Sequence, residues 1–368
     1  MTRVELLWTD GDPAHPALDV LVRLVALTDK AHEDGRLDDF WMESTSRGVW
    51  HWTADLPDDL RTTYQFCPVR DRSPRGQPVD DETWHWVIAH GEPDPAGQDR
   101  LPPGCVFGAA DRPASVLSMP GAPPQPWARQ RGASPAAVPG ELRFGDGSVV
   151  RVQHPEASGA VALVVLFDGE SMRAIGVPET VVNLQADGVV GPMTVVYVDS
   201  IRGSAARGPS RAQALTDRAG LATFVHEQLV PTIEREYDVR ADPSRRVVAG
   251  HSLGGLAALH VAAADPGRFG AVAVGSAALW WPGSDSQLSG AEVVDEATAF
   301  PGRVWMEWGT EEGAELVEAN RHLAQLATES GRDVRWRAFR GGHDLAVWRG
   351  SVGDGLAHLL GTGGTRTW

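Results

Sequence analysis

The stretch VVAGHSLGGLAAL, Val247 to Leu259, decides the reading of the fold. A short β-branched run leads into a serine fenced by Gly250 and Gly254, and an apolar stretch with helical spacing follows. Glycines at those places leave room for a strained strand-to-helix turn that projects the Ser252 hydroxyl out of a sheet, the geometry of a nucleophile elbow. Glycines also serve ordinary tight turns between strand and helix, so the motif by itself nominates a candidate and no more.

Outward from this motif the chain alternates strand and helix. After Gly140 the runs 161–167, 193–198, 246–250, 270–276, 303–308 and 334–339 are apolar and β-branched without clean alternation, as strands covered on both faces read. Between them the spacing predicts helices, among them 221–237, 253–264 and 314–330. The succession predicts a doubly wound, mostly parallel α/β sheet with Ser252 at the carboxyl end of a central strand, where such sheets place their sites.

Before Gly140 the character differs. LDVLVRLVAL (18–27), VWHWTA (49–54) and TTYQFCP (62–68) are short runs bounded by Asp, Gly or Pro, and they predict a small antiparallel β-sandwich. The expected organisation is a sandwich over 1–112, a Pro-rich connector over 113–140, a catalytic domain over 141–361 and a flexible tail over 362–368. The formal charge of −16 argues against nucleic-acid or anionic-membrane binding through the whole surface. No apolar run is long enough for a bilayer and the N-terminus lacks the succession of a signal peptide, so a cytoplasmic site is expected. Cys67 and Cys105 carry neither a disulfide framework nor zinc-ligand spacing and are read as packing residues.

A nucleophilic serine needs a base, and the base needs an orienting acid, in the chain order serine, acid, histidine for a sheet of this kind. His343, in FRGGHDLAVWR, follows the last strand across a two-glycine turn and fits the final slot. His251 points along the elbow and His260 lies within the next helix; Asp344 adjoins His343 but is poorly placed to reach its Nδ1. WGTEEGAEL offers Glu311 and Glu312 for the acid, though either could simply favour a helix N-terminus. An oxyanion hole is expected from the Leu253 N–H and from the LFDGESM turn, at Gly169 or Glu170.

With these residues in place the chain resembles the ferric enterobactin (enterochelin) esterase family, siderophore esterases of the α/β-hydrolase superfamily. The likeness runs through the segments around Ser252, Glu312 and His343, through LFDGE, and through GVWHWTADLPDDLRTTYQFCP and LSMPGAPPQP in the N-terminal part. It implies Ser252 as nucleophile, His343 as general base and Glu312 rather than Glu311 as the acid. It further implies cytoplasmic opening of a ferric catecholate trilactone, with no cofactor, since iron enters only with the substrate. Ala214, where the family commonly has an acidic residue, and a chain start close to the first strand are departures that leave the particular siderophore open.

A ferric tris-catecholate is an aromatic anion, so aromatic faces and arginines are expected to meet it. Trp281 and Arg349 are the first candidates, followed by Trp280, Trp348, Arg173, Arg202 and Arg211. Packing is the ordinary role of tryptophans at element ends. Two other readings stand beside this one. A general acyl or feruloyl carboxylesterase would turn over catecholate and plain esters alike, and a relict fold that only binds a partner would not react with a fluorophosphonate.

Overall fold

A computed structural model describes residues 1–105, 112–128, 140–155, 161–200, 210–239, 242–281 and 299–362. The chain divides into two units: Met1–Pro124 with Gly309–Gly313 and Arg340–Val347, and Gln125–Trp308 with Ala314–Phe339 and Trp348–Trp368.

In the first unit, β1 (Thr2–Thr9), β4 (Val49–Leu56) and β3 (Glu43–Ser46) form one antiparallel sheet. A second contains β2 (Asp19–Leu24), β5 (Arg61–Val69), β7 (Ala114–Ser118) and β6 (Arg100–Leu101), in that order. Alternation along β4 sends Trp50 and Trp52 into a core shared with Leu6 and Trp8 of β1 and with Val20, Val22, Tyr64 and Phe66 of the second sheet. On that sheet's other face, Leu21, Cys67 and Val69 pack with helices α1 (Val25–Glu33) and α2 (Asp81–Ala89) through Ala31, Trp84, Val87 and Ile88. Covered twice, β5 is buried at every residue. The two sheets share the core expected of a sandwich, and a helical layer is added to it: LDVLVRLVAL is strand only to Leu24 and helix from Val25, a division that a short apolar run does not reveal. Both cysteines are free and buried; burial pushes their thiols up to about 12 at Cys67 and about 11 at Cys105.

The second unit holds an eight-stranded sheet of β8 (Gly140–Arg143), β9 (Val149–Gln153), β10 (Ala162–Phe167), β11 (Met193–Val198), β12 (Arg246–His251), β13 (Ala271–Gly275), β14 (Arg303–Gly309) and β15 (Asp333–Phe339). Their spatial order is 15-14-13-12-10-11-9-8. Parallel ladders run from β11 through β10, β12 and β13 to β14, while β9 and β8 are antiparallel. Leu163, Val165 and Phe167 of β10 enter the core that contains the buried Leu256 and Leu259 of helix α3 (Leu253–Ala264). Val164 and Leu166 point the other way, lining a small cavity with Val352 and Leu356 of the helix Leu345–Leu360. Strand order reverses between β10 and β12, and a doubly wound sheet opens its crevice beyond the carboxyl ends at such a reversal. The chain leaves β12 there into Ser252 and leaves β10 into Asp168.

Candidate active site

Ser252 caps α3 with φ 56° and ψ −125°, a backbone conformation that costs a non-glycine residue about 1–3 kcal/mol. Its surroundings hold it there. The Ser252 N–H donates to Gly275 O at 2.9 Å, and Ser252 O accepts from Leu256 and Ala278 N–H at 3.1 and 3.0 Å. A side chain at Gly250 would run into the Gly254 carbonyl, and one at Gly254 would stand 2.8 Å from Asp168 Oδ2. Both glycines of the motif are therefore demanded by close approach. Ser252 is 7% exposed and Leu253 6%.

The turn after β10 is strained at Asp168, φ 54°, and not at Gly169 as its sequence suggests; Gly169 is needed because a Cβ would meet Asp199 and Tyr197 at 2.7 Å. Arg211 grips Asp168 with Nε and Nη2, each at 2.7 Å, and Ser200 Oγ donates to Asp168 Oδ1 at 2.7 Å. Glu170 accepts from Ser200 N–H at 3.0 Å; burial pushes its carboxyl up, against the Ser200 hydrogen bonds that hold it down. The roles of Asp168 and Ser200 have no local signal, because their partners lie about 30 to 40 residues away in sequence.

In the first unit, His343 Nδ1 stands 3.7 Å from Glu312 Oε2. This exceeds the length of a formed hydrogen bond. The buried Glu312 carboxylate also accepts the Gly309 N–H at 3.2 Å, whereas Glu311 is turned onto Arg340 Nη1 at 2.7 Å. Burial pushes Asp344 up; its carboxylate receives Thr62 and Thr63 rather than the imidazole.

The other histidines have different work. His251 Nε2 lies 3.1 Å from Ser351 Oγ and its ring stacks on Trp348 at 5.0 Å. His260 is buried in α3, and burial, helped by Arg218, drives its pKa down to about 4.

Three of the four arginines expected to meet the anion are engaged within the protein. Arg173 is forked onto Asp199 at 2.5 and 3.1 Å, Arg211 onto Asp168, and Arg349 is only 7% exposed with Nε on Gln125 Oε1 at 2.9 Å. A partly or fully buried guanidinium calls for partners, and two of the three arginines meet an aspartate. Trp348 is 1% exposed, a packing position against His251, while Trp280 is 43% exposed and inclined on the partly buried Trp281 at 5.6 Å. Arg202 lies outside the described residues.

A doubly wound sheet with a strained serine elbow at its switch point defines an α/β-hydrolase. Residues 143–359 match the family model described as putative esterase, and residues 3–128 match that for the enterochelin esterase N-terminal region. The iron(III) enterobactin esterase of Escherichia coli K12 is 27% identical, over 98% of this chain and 91% of its own. The iron(III) salmochelin esterase of Escherichia coli O6:H1 is 28% identical, over 97% and 87%. The crystal structure of ferric enterobactin esterase from Salmonella typhimurium superposes with a TM-score of 0.82 at 25% identity, over 97% of this chain and 93% of that one. The chain belongs to the enterochelin esterase family and is a carboxylic ester hydrolase. Among the described residues no helix is long and apolar enough to cross a membrane, and no cluster of three or more His, Cys, Asp or Glu could hold a metal ion.

Proposed function

We propose that this chain hydrolyses the ester bonds of a ferric catecholate trilactone of the enterobactin type, releasing iron in the cytoplasm. Ser252 Oγ attacks an ester carbonyl while His343 takes its proton, and Glu312 stabilises the imidazolium. Charge on the tetrahedral oxygen is met by the Leu253 N–H and by an N–H of the Gly169–Glu170 turn. Collapse expels the serine alkoxide of the siderophore, which His343 protonates, leaving an acyl-enzyme. Water, deprotonated by the same imidazole, releases the carboxylate and regenerates Ser252.

One observation carries the substrate class. The enterochelin-type N-terminal region and the esterase domain are matched in one chain, and the curated relatives that span nearly all of it are iron(III) enterobactin and salmochelin esterases. A general acyl or feruloyl esterase has no need of the N-terminal region, so that alternative is disfavoured. Incubation with iron-loaded and iron-free enterobactin tests the proposal, with linear trimer, dimer and monomer followed by mass. Turnover of simple phenyl esters with the trilactone left intact would return the reading to a general esterase.

A further inference from the structure

Asp344, the residue after the proposed base, is a buried carboxylate with no part in the triad. Its Oδ2 accepts the Thr63 N–H at 2.6 Å, Thr62 Oγ1 at 3.0 Å and Thr63 Oγ1 at 3.1 Å, and its Oδ1 accepts the Ala346 N–H at 2.8 Å. Thr62 and Thr63 lie on β5, and Thr62 Oγ1 also receives the Ala26 N–H of α1 at 3.0 Å. On the other side of His343, a Cβ on Gly342 would stand 2.6 Å from Ala26 Cα, and the Arg61 N–H donates to Arg340 O at 3.3 Å. Both flanks of the histidine are thus hydrogen-bonded to β5, and the Gly342 side lies close against α1.

Burying a carboxylate is costly, and packing alone does not call for one at this place. What four hydrogen bonds to a single carboxylate do provide is fixed geometry, and acid-base catalysis is sensitive to displacements of the order of 1 Å. We propose that Asp344 is a positioning residue for His343, and that the N-terminal unit supports catalysis by holding the base loop through Thr62 and Thr63 of β5. This rests on the reading of His343 as general base.

The test is a double-mutant cycle with Asp344→Asn and His343→Ala on a neutral phenyl ester, with thermal unfolding measured in parallel. Asparagine has one acceptor oxygen where the carboxylate has two, so its NH2 must face either the three donors at Oδ2 or the Ala346 N–H at Oδ1, and Asp344→Asn should lower kcat about 10²-fold with KM nearly unchanged. In the His343→Ala background the same substitution should change nothing, because a residue acting through the imidazole has nothing left to position. An equal loss in both backgrounds, or a kcat for Asp344→Asn within about threefold of the parent, would overturn the proposal. If Asp344→Asn does not fold, Thr63→Val and Thr63→Ser replace it: the valine should lower kcat and the serine, which keeps the hydroxyl, restore it, and equal rates would overturn the proposal. A His343→Ala enzyme at full rate would instead remove the base assignment itself, whatever Asp344 does.

Discussion

Glu312 Oε2 lies 3.7 Å from His343 Nδ1, while the adjacent Glu311 is bound to Arg340 at 2.7 Å. Two neighbouring glutamates thus have separate partners. Glu312→Gln should lower kcat by about 10²-fold or more, since an amide cannot stabilise the imidazolium. Glu311→Gln should stay within about threefold of the parent, because an exposed ion pair contributes little. Equal small losses on a phenyl ester would show that another group orients the base.

The elbow leaves no space for a methyl group at Gly250, where it would meet the Gly254 carbonyl. Gly250→Ala should lower both Tm and kcat, the overpacking alone costing about 1–3 kcal/mol. At Gly302 nothing lies within 4 Å of an added Cβ, and Gly302→Ala should leave both quantities near the parent. Similar unfolding curves for the two variants would contradict the tight elbow.

Below the elbow, Glu307 is 1% exposed and accepts from Arg337 Nε at 3.1 Å, while Arg337 Nη2 also reaches Asp354 at 2.7 Å. Burial pushes the Glu307 carboxyl up, but the Arg337 charge, with His251 and Ser351, outweighs this and holds it below the ordinary value. A depressed carboxyl stabilises the fold above the unfolded glutamate pKa of about 4.3 and loses that contribution as pH falls through its own lower value. Glu307→Gln should cost towards the lower end of about 3–5 kcal/mol at pH 7, because Asp354 still faces Arg337. The Tm gap between parent and variant should narrow as the pH is taken into the acid range. A gap that stayed constant to pH 3 would show that Glu307 does not titrate with folding.

Because Arg211 is engaged by Asp168 through two 2.7 Å bonds, its loss should loosen the turn after β10 rather than remove an anion ligand. Arg211→Ala should therefore lower kcat by similar factors for a neutral phenyl ester and a ferric trilactone. A selective rise in KM for the ferric substrate would restore Arg211 to the role of a free cation.

The sheet was legible in the sequence because its central strands are short, mainly apolar runs separated by helical stretches; MTVVYV is a strand over the same six residues, 193 to 198, in both. The helix at Val25 was not, since it follows β2 without a polar break or a capping side chain. Ser252 and His343 could be nominated from glycine punctuation. The pairing of Arg173 with Asp199 and of Arg211 with Asp168 could not, because an arginine's partner is set by how distant loops fold together. Asp344 is poorly placed in sequence to reach His343 Nδ1, and the donors on its Oδ2 come from residues more than 280 positions earlier.

The central claim is that Ser252 opens a catecholate trilactone, and product mass tests it most directly. Iron-loaded and iron-free enterobactin are incubated with the parent enzyme and with Ser252→Ala, and the linear trimer, dimer and monomer are counted over time. The account predicts stepwise appearance of all three with the parent and a loss of about 10⁴-fold or more with Ser252→Ala, whose elbow stays folded but has no nucleophile. Intact trilactone with the parent, or a Ser252→Ala rate within about tenfold of it, would contradict the account.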